Sequence, residues 1–460
     1  MPQGLDELFS ARALKRDPDT LQQWGCDWTR SFKVAPSAVV FPSSVEEVVA
    51  LVRLANEESF ALVPSGGRTG LSGGAVAGNG EVVVSFDRMN QILDFSEADR
   101  LVRCQAGVVT ETLQTFAEDK GLYYPVDFAS AGSSQIGGNI STNAGGIKVI
   151  RYGLTRDWVA GLKVVTGSGE VIDCNHGLIK NATGYDLRHL FIGAEGTLGL
   201  VVEAEMRLAK APAAQNVMVL GVPAFPDILK VLSSFQSGLT LSAFEFFSEM
   251  ALTKVLAHRE LQRPLTEPVP FYALLEFDED DVEPAMALFE QTVAEGWVTD
   301  GVLSQSDSQA ADLWALREGI SESIASYTPY KNDLSVRISL MPEFIDEVDA
   351  LVAASYPDFE VCWYGHIGDG NLHLNILKPE GLSGEAFYDQ CHSISPKIFE
   401  AVQNRDGSIS AEHGVGLLKR DFLGFTRSDA DMALMARLKQ VFDPNQVMNP
   451  GKLLPELSPG

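Results

Sequence analysis

The stretch Pro64–Gly74 reads PSGGRTGLSGG and holds five glycines in eleven residues. It follows the apolar run Phe60–Val63, so the pattern predicts a strand that ends in a glycine loop. Glycine has no side chain to cover the backbone N–H groups, and such a loop can wrap a pyrophosphate. A single loop of this kind is more often only a turn, so the rest of the chain has to decide between the two interpretations.

Two further glycine clusters favour the pyrophosphate interpretation. They are GSSQIGGNISTNAGG (132–146) and GAEGTLG (193–199), and the first of them also offers hydroxyl and amide groups that can bond phosphate oxygens. Three such loops beside apolar strands are hard to explain as turns alone. The fingerprint G-x-G-x-x-G, opening a helix after a strand with an acidic residue about twenty positions on, is missing, which disfavours an NAD-type Rossmann site.

Composition indicates a folded protein of two or three domains. The chain has 460 residues, of which 45% are hydrophobic and 21% charged. Its formal net charge is −27, from 62 Asp and Glu against 35 Lys and Arg. Such a surface repels nucleic acid and anionic lipid headgroups. It would also repel an anionic substrate, so a site for an acid needs its own local positive charge.

Cysteine usage and terminal composition indicate a reducing compartment. The five cysteines, at positions 26, 104, 174, 362 and 391, include no C-x-x-C pair, so neither a disulfide framework nor a thiolate zinc site is indicated. The first residues, MPQGLDEL, lack the order of a signal peptide, and no apolar run approaches the roughly 18 residues of a membrane span. We therefore expect a soluble, cytoplasmic protein.

Apolar periodicity predicts an α+β chain. Residues 44–57 are predicted to form a helix that begins after a serine cap. Its apolar stripe consists of Val45, Val48, Val49 and Val52. Val82–Phe86 and FYALLEF (271–277) are predicted strands. The pattern resets near residue 210 and again near 420, which divides the chain into 1–210, 211–420 and 421–460.

A predicted hairpin brings two histidines together. CWYGH (362–366) and LHLNIL (372–377) read as strands around the turn GDGN, and folding there places His366 directly opposite His373. Cross-strand Cβ atoms on one face lie roughly 4.5–5.5 Å apart, so both imidazoles could reach one ion. Asn375 points to the same face. A hairpin with two satisfied polar residues is the simpler alternative.

The segment SAEHGVG (410–416) adds Glu412 and His413 to this pair. Two histidines and one glutamate are a three-ligand set that leaves a position open on zinc, and non-haem iron accepts similar ligands. A zinc hydrolase with this ligand set remains an alternative, although H-E-x-x-H is missing. The downstream Glu-His pair makes us favour a metal site over a simple hairpin.

Two cations could supply the positive charge that an acid requires. Arg317 and Ser321 lie four residues apart in a predicted helix and would share one face. Lys331 lies at the start of an apolar strand. Arginine can clamp a carboxylate through two N–H groups, whereas lysine acts as a point charge. Two solvated surface cations are the alternative.

The three glycine clusters, together with CQAGV (104–108) and KNATGYDLRHLFIGAEGTLG (180–199), resemble the FAD-binding domain of the vanillyl-alcohol oxidase superfamily. The resemblance extends to NPGKL (449–453). It implies an α+β fold with a two-subdomain PCMH-type FAD-binding domain over 1–210. A substrate (cap) domain with an antiparallel sheet and the metal site follows over 211–420, and a short helical segment over 421–460 packs back toward the FAD domain.

In that family the loops matching Ser65–Gly70 and Ser134–Asn143 hold the pyrophosphate, and the match to Gly193–Gly199 lies near the flavin. Some members attach flavin through a histidine in the first loop, but here that loop reads Gly-Gly-Arg, which implies non-covalent FAD. The candidate cofactor-binding residues are Pro64, Ser65, Gly66, Gly67, Arg68, Thr69, Gly70, Ser72, Gly132, Ser133, Gly137, Gly138, Asn139, Ser141, Thr142, Asn143, Gly196, Thr197, Gly199 and Asn449.

HIGDGNLHLN (366–375) and SAEHGVG (410–416) resemble the D-2-hydroxy acid dehydrogenase branch of this superfamily. The resemblance implies a divalent metal, with Zn²⁺ favoured, on His366, His373 and Glu412, and His413 as the catalytic base. It also implies substrate contacts, which we assign to Arg317, Ser321, Lys331, Asn375 and His413. Ser321 departs from the threonine of some members but keeps the hydroxyl.

The expected reaction passes a hydride from C2 of a 2-hydroxy acid to FAD and gives a 2-oxo acid. D-2-hydroxyglutarate is the favoured substrate, and D-lactate, D-malate and glycolate are alternatives. The resemblance implies an electron transfer flavoprotein or a quinone-linked carrier as electron acceptor, and we expect a homodimer. A flavin-carrier protein without redox catalysis is a remote alternative, since it would need neither His413 nor the metal.

Overall fold

The computed structural model describes residues 2–29 and 31–455, and the chain divides into two compact units. Unit 1 comprises Met1–Gly146, Leu154–Ala211 and Glu412–Gly460; unit 2 comprises Ile147–Gly153 and Pro212–Ala411. Residues 456–460 of the expected C-terminal segment lie outside the described residues. The chain thus leaves unit 1 after Ala211 and returns to it after Ala411. The division into domains 1–210, 211–420 and 421–460 stays a prediction.

Short helices and strands alternate along the first half of the chain, and one of them, α6, belongs to unit 2. In chain order they are α1 (Leu5–Leu8), β1 (Leu14–Lys15), α2 (Pro18–Trp24), β2 (Ala38–Val40), α3 (Val45–Glu58), β3 (Leu62–Ser65), β4 (Val82–Ser85), β5 (Ile92–Ser96), β6 (Leu101–Gln105), α4 (Thr110–Asp119), β7 (Leu122–Tyr123), α5 (Ile136–Thr142), α6 (Val149–Tyr152), α7 (Thr155–Trp158), β8 (Val159–Thr166), β9 (Val171–Cys174), α8 (Arg188–Phe191), β10 (Gly199–Arg207) and β11 (Ala209–Lys210).

Longer elements follow, and the last helix belongs to unit 1. They are β12 (Gln215–Val222), α9 (Phe225–Gly238), β13 (Leu241–Ser248), α10 (Glu249–His258), β14 (Phe271–Asp278), α11 (Val282–Ala294), β15 (Asp300–Leu303), α12 (Asp307–Glu318), α13 (Ile320–Ser323), β16 (Tyr330–Ser335), α14 (Met341–Ser355), β17 (Val361–His366), β18 (Asn371–Ile376), α15 (Gly384–Gln403) and α16 (Asp429–Phe442). Short 3-10 turns lie at Glu279–Asp281, Ala325–Tyr327, Ile338–Leu340 and Arg420–Phe425.

Helix α3 forms where the apolar stripe predicts it. The Ser44 hydroxyl accepts a hydrogen bond from the Glu47 backbone N–H at 3.2 Å and caps the helix. Val48 and Val52 are buried on its inner face, and Ser59 ends it in the left-handed region. Strand β3 begins directly afterwards and leads into the first glycine loop.

Unit 1 contains two main sheets. The first has the order β1-β2-β4-β3, with β2, β4 and β3 parallel, and α3 makes the connection from β2 to β3. The second is antiparallel with the order β5-β6-β10-β8-β9. One apolar core joins residues of both sheets, for example Val84 and Val202, so the two sheets fold as one unit.

The C-terminal helix α16 is fastened to unit 1 by a buried lysine. Lys439 donates hydrogen bonds to the carbonyl oxygens of Thr197 and Met448 and to the carboxylate of Asp443. Asp443 is fully buried and also accepts from the backbone N–H groups of Val447 and Met448. A buried charge needs such partners. The Lys439–Asp443 pair therefore holds in place the backbone of Val447 and Met448, which directly precedes NPGKL.

Unit 2 is built on one seven-stranded antiparallel sheet with the order β15-β12-β14-β13-β17-β18-β16. One face carries Phe246, whose ring meets that of Phe225 in α9 at 5.2 Å. The other face carries Phe247 and Tyr272, which pack in a core with residues of α10, α12 and α13. Because side chains alternate between the two faces of a strand, this second face also receives Glu245.

All five cysteines are free thiols. No helix in the described part of the chain has the length and apolar content needed to cross a membrane.

Lys439→Met should lower the free energy of unfolding by about 3–5 kcal/mol, because it leaves the buried Asp443 carboxylate without its cation. Urea denaturation measures the effect. Lys210→Met, at an exposed lysine of β11, is the control and should leave the unfolding free energy nearly unchanged. Equal stability of the two variants would contradict the anchoring role of Lys439.

Candidate functional site

The hairpin of unit 2 holds both predicted histidine ligands, but in a different register. Strand β17 ends at His366 and β18 begins at Asn371, which pairs with His366, while His373 pairs with Tyr364. The expectation that the two histidines lie directly opposite each other is therefore wrong. Asn371 is already part of the sheet because it pairs with His366 on one side and with Ser335 on the other, so the return strand begins one residue earlier than predicted. Its side-chain amide also donates to Asp333 Oδ1 at 2.9 Å.

The two histidines still share one face, since the strand period places alternate residues on the same side. Their ring centroids lie 5.4 Å apart with the planes at 80°. His366 is 7% and His373 is 6% exposed. Asp333 on the neighbouring strand β16 pairs with His373, and its carboxylate Oδ1 lies 3.8 Å from His373 Nδ1.

Glu245 lies behind His366 on the adjacent strand β13. The two residues are register partners, and Glu245 Oε1 lies 2.8 Å from His366 Nδ1. Histidines that bind metals commonly donate their other ring N–H to a carboxylate in this way. The arrangement leaves Nε2 as the nitrogen that can act as a ligand, so His366 has the surroundings of a metal ligand.

Arg317 reaches the same carboxylate from α12. Its Nη2 lies 2.7 Å from Glu245 Oε2, and its guanidinium carbon is 4.7 Å from the centre of the Tyr364 ring. The contact with Glu245 is close, but it lacks hydrogen-bond alignment, so Nε and Nη2 have no hydrogen-bond acceptor among the described residues. Arg317 is thus a buried cation that retains donors for a ligand.

The predicted shared helical face of Arg317 and Ser321 is wrong. Helix α12 ends at Glu318, and Ser321 belongs to the short helix α13. Helix α13 buries Ile320 in the core, which turns Ser321 outward while Arg317 stays buried.

Lys331 and Asn375 face each other across strands β16 and β18. Lys331 Nζ donates to the hydroxyl of Ser321 at 3.0 Å, and burial lowers the pKa of Lys331. Asn375 is 1% exposed, yet neither its Oδ1 nor its Nδ2 has a hydrogen-bond partner among the described residues. A buried amide without partners is costly, so Asn375 marks a position where a polar ligand fits.

Glu412 and His413 directly follow Ala411, the last residue of unit 2. The carboxylate Oε1 of Glu412 lies 3.6 Å from His413 Nε2. Within unit 2, the carboxylate of Asp333 lies beside His373 and is a further group that could bind a metal ion. Asp333 is not among the ligands predicted from the sequence.

The three glycine loops of unit 1 meet one another. Gly67 lies so close to the second loop that a Cβ there would come within 2.1 Å of the Ser133 carbonyl oxygen. The third loop is joined to the second, because the backbone N–H of Glu195 donates to the Ser141 carbonyl at 2.8 Å. None of the N–H groups of residues 66–70 donates to another described residue. The loops therefore form a cradle whose backbone donors make no bond to the described residues, which fits a pyrophosphate.

Glu195 also fixes the segment that follows His413. Its carboxylate accepts hydrogen bonds from the backbone N–H groups of Val415 and Gly416 at 2.7 and 2.8 Å. Burial raises the pKa of Glu195, although these two hydrogen bonds act in the opposite direction. Asn449 donates its side-chain amide to the carbonyl oxygens of Glu195 and Gly74, so the predicted cofactor residue Asn449 lies beside the loops.

Sequence reasoning did not identify three acidic residues of the site. Glu245 lies within LSAFEFFS and Asp333 within YKNDLS, while Glu195 lies within GAEGTLG. A single charge inside an apolar strand is a signal of a buried ion pair, and it would have identified Glu245. The partners of these acids come from distant parts of the chain and give no local signal.

Two family models match the chain. One, described as FAD linked oxidases, C-terminal domain, matches residues 211–453, and one described as FAD binding domain matches residues 36–175. A D-2-hydroxyglutarate dehydrogenase of Stutzerimonas stutzeri (strain A1501) is 62% identical, with coverage of 98% of this chain and 97% of that protein. A mitochondrial D-2-hydroxyglutarate dehydrogenase of Bos taurus is 38% identical, with coverage of 98% and 83%.

Among solved structures, p-cresol methylhydroxylase with substrate bound has a TM-score of 0.78 at 13% identity, covering 98% of this chain and 96% of that chain. At this identity the likeness concerns the fold alone. The PCMH-type α+β fold implied by the resemblance is thereby confirmed.

Gly416→Ala should destabilise the protein by about 1–3 kcal/mol, because φ at this position is 52° and a Cβ would come within 2.2 Å of the Ser72 carbonyl oxygen. Thermal unfolding measures the loss. Gly424→Ala is the control, since a Cβ there meets nothing within 4 Å. If both variants unfold at the same temperature, the Glu195-bound segment is not constrained as described.

Proposed function

Since the chain belongs to the FAD-linked oxidase family, in its branch of FAD-dependent D-2-hydroxy acid dehydrogenases, we propose that it oxidises D-2-hydroxyglutarate to 2-oxoglutarate. The observation that carries the proposal is the polar face of the unit 2 sheet. There Lys331, Asn375 and His373 lie on neighbouring positions of two strands, and Arg317 packs onto the same face. Such a face offers cations and hydrogen-bond groups to a small dicarboxylate.

FAD fits the three loops of unit 1, and we propose that it binds there without a covalent bond. The unpartnered N–H groups of residues 66–70 would hold its pyrophosphate, and the first loop has no histidine to attach the flavin. When bound, FAD supplies the acceptor for the hydride that leaves C2 of the substrate. The remaining candidate residues of the second and third loops would line the same cradle.

A divalent ion fits the donor set around the hairpin. We assign His366, His373 and Glu412 as its ligands, with Zn²⁺ favoured because imidazole and carboxylate suit it. The hydrogen bond of His366 to Glu245 supports this assignment for Nε2, and Asp333 is a further candidate. When bound, the ion supplies Lewis-acid chemistry that lowers the pKa of the substrate's C2 hydroxyl.

The protein's own residues would then orient the acid and move one proton. Arg317 and Lys331 bind carboxylate oxygens, and Asn375 bonds a polar group of the substrate through its unpartnered amide. Ser321 holds Lys331 through its hydroxyl. His413 accepts the proton of the C2 hydroxyl on an imidazole nitrogen. The product is the 2-oxo acid.

Reduced flavin has to pass two electrons onward, and we propose an electron transfer flavoprotein or a quinone-linked carrier as the acceptor. A homodimer in the cytoplasm stays our expectation.

The test is an anaerobic screen of D-2-hydroxy acids in which absorbance at the flavin band is followed. D-2-hydroxyglutarate should bleach the flavin fastest. Chelation should abolish bleaching while FAD stays bound, and Zn²⁺ should restore it. Faster bleaching by D-lactate, D-malate or glycolate would overturn the substrate assignment. Full activity without metal would remove the ion from the proposal.

Lys331→Met tests which end of the substrate the lysine binds. A charged hydrogen bond is worth roughly 1.5–3 kcal/mol, so kcat/KM for D-2-hydroxyglutarate should fall about ten- to a hundredfold. D-lactate has no distal carboxylate, and its kcat/KM should barely change. Lys397→Met, at an exposed lysine of α15, is the matched charge control and should leave both values unchanged. Equal losses on both acids would place Lys331 at the shared carboxylate end.

The same lysine predicts a pH dependence. Burial lowers the pKa of Lys331 below the ordinary lysine value, so its positive charge is lost at lower pH than that of an exposed lysine. The KM for D-2-hydroxyglutarate should therefore rise as pH increases through this range, and this rise should be missing in Lys331→Met. If KM depends on pH in the same way in both proteins, the charge of Lys331 does not contribute to substrate binding.

A further inference from the structure

We propose that Glu245 is a positioning residue that holds His366 and Arg317 together, and so joins the metal site to the substrate site; this inference rests on the proposed function. Glu245 lies in the middle of β13 and is 1% exposed. Its two carboxylate oxygens face different partners. Oε1 lies 2.8 Å from His366 Nδ1, and Oε2 lies 2.7 Å from Arg317 Nη2.

For His366, the carboxylate selects the tautomer. A carboxylate accepts but does not donate, so the ring nitrogen that faces it carries the proton. The lone pair of the imidazole is then on Nε2, and the ring is held in one orientation. Glu245 in this way prepares His366 to be a ligand before any ion is present.

For Arg317, the same carboxylate balances the charge. Arg317 is 5% exposed, and its guanidinium lies over the ring of Tyr364, so its charge is largely removed from solvent. Removal of the Glu245 charge would leave Arg317 as an uncompensated buried cation and free it to shift. One carboxylate therefore sets the position of both residues.

A structural acid on the same face offers the comparison. Glu276 on strand β14 is 5% exposed and is bonded to Lys148 Nζ at 2.7 Å and to Trp314 Nε1 at 3.0 Å. It therefore resembles Glu245 in burial and in having two partners, but among the described residues it forms no hydrogen bond or ion pair with His366 or Arg317. Any effect that comes only from loss of a buried carboxylate should appear in both acids.

The experiment uses FAD-containing wild type, Glu245→Gln and Glu276→Gln, and measures Zn²⁺ affinity by competition with a chelator. Glu245→Gln should bind Zn²⁺ about 10–100-fold more weakly, and Glu276→Gln should bind like wild type. The FAD content should be the same in all three. At saturating Zn²⁺, the KM for D-2-hydroxyglutarate should rise several-fold in Glu245→Gln and stay unchanged in Glu276→Gln.

If Glu245→Gln does not fold, Glu245→Asp replaces it in the experiment. This variant keeps the charge on a shorter side chain and should bind Zn²⁺ more weakly than wild type. Equal Zn²⁺ affinity of wild type and the Glu245 variant overturns this inference and leaves the proposed function in place. A wild type that binds no Zn²⁺ overturns the metal part of the proposed function and this inference with it.

Discussion

The carboxylate of Glu245 lies inside a strand that water does not reach, so the fold must balance its charge with groups that are equally buried. Arg317 supplies the opposite charge from helix α12, and His366 supplies a hydrogen-bond donor from the next strand. Their positions in turn depend on the register of β13 against β17, since a slip of one residue would turn Glu245 to the opposite face. The geometry of the candidate site therefore depends on the strand register of the seven-stranded sheet.

A second buried carboxylate organises unit 1 in a similar manner. Glu195 lies at the tip of the third glycine loop and accepts from two backbone N–H groups of the segment that follows His413. Its own backbone N–H bonds to the second loop, and its carbonyl oxygen accepts from Asn449. Glu195 therefore binds segments that are far apart in sequence. Through these hydrogen bonds, the proposed cofactor cradle is connected to the segment that follows the proposed catalytic base.

Charge is distributed unevenly in this protein. The chain carries −27 overall, and long-range attraction of an anionic acid is not available to it. The sheet of unit 2 nevertheless buries Arg317 and partly buries Lys331 on one face. A cation removed from water interacts more strongly with a bound carboxylate than an exposed one. Local burial can thus offset the repulsion that the surface produces.

The glycine loops, helix α3, the hairpin with both histidines on one face and the family could all be predicted from sequence alone, because each depends on local periodicity or on a contiguous motif. Tertiary structure alone decided the pairing of His366 with Asn371, the outward turn of Ser321, and the partners of Glu245 and Glu195. These features depend on which strand lies beside which and on core packing around Ile320. Contacts between distant segments leave no periodic signal in a single sequence, since each residue's neighbours along the chain are unrelated to its neighbours in space.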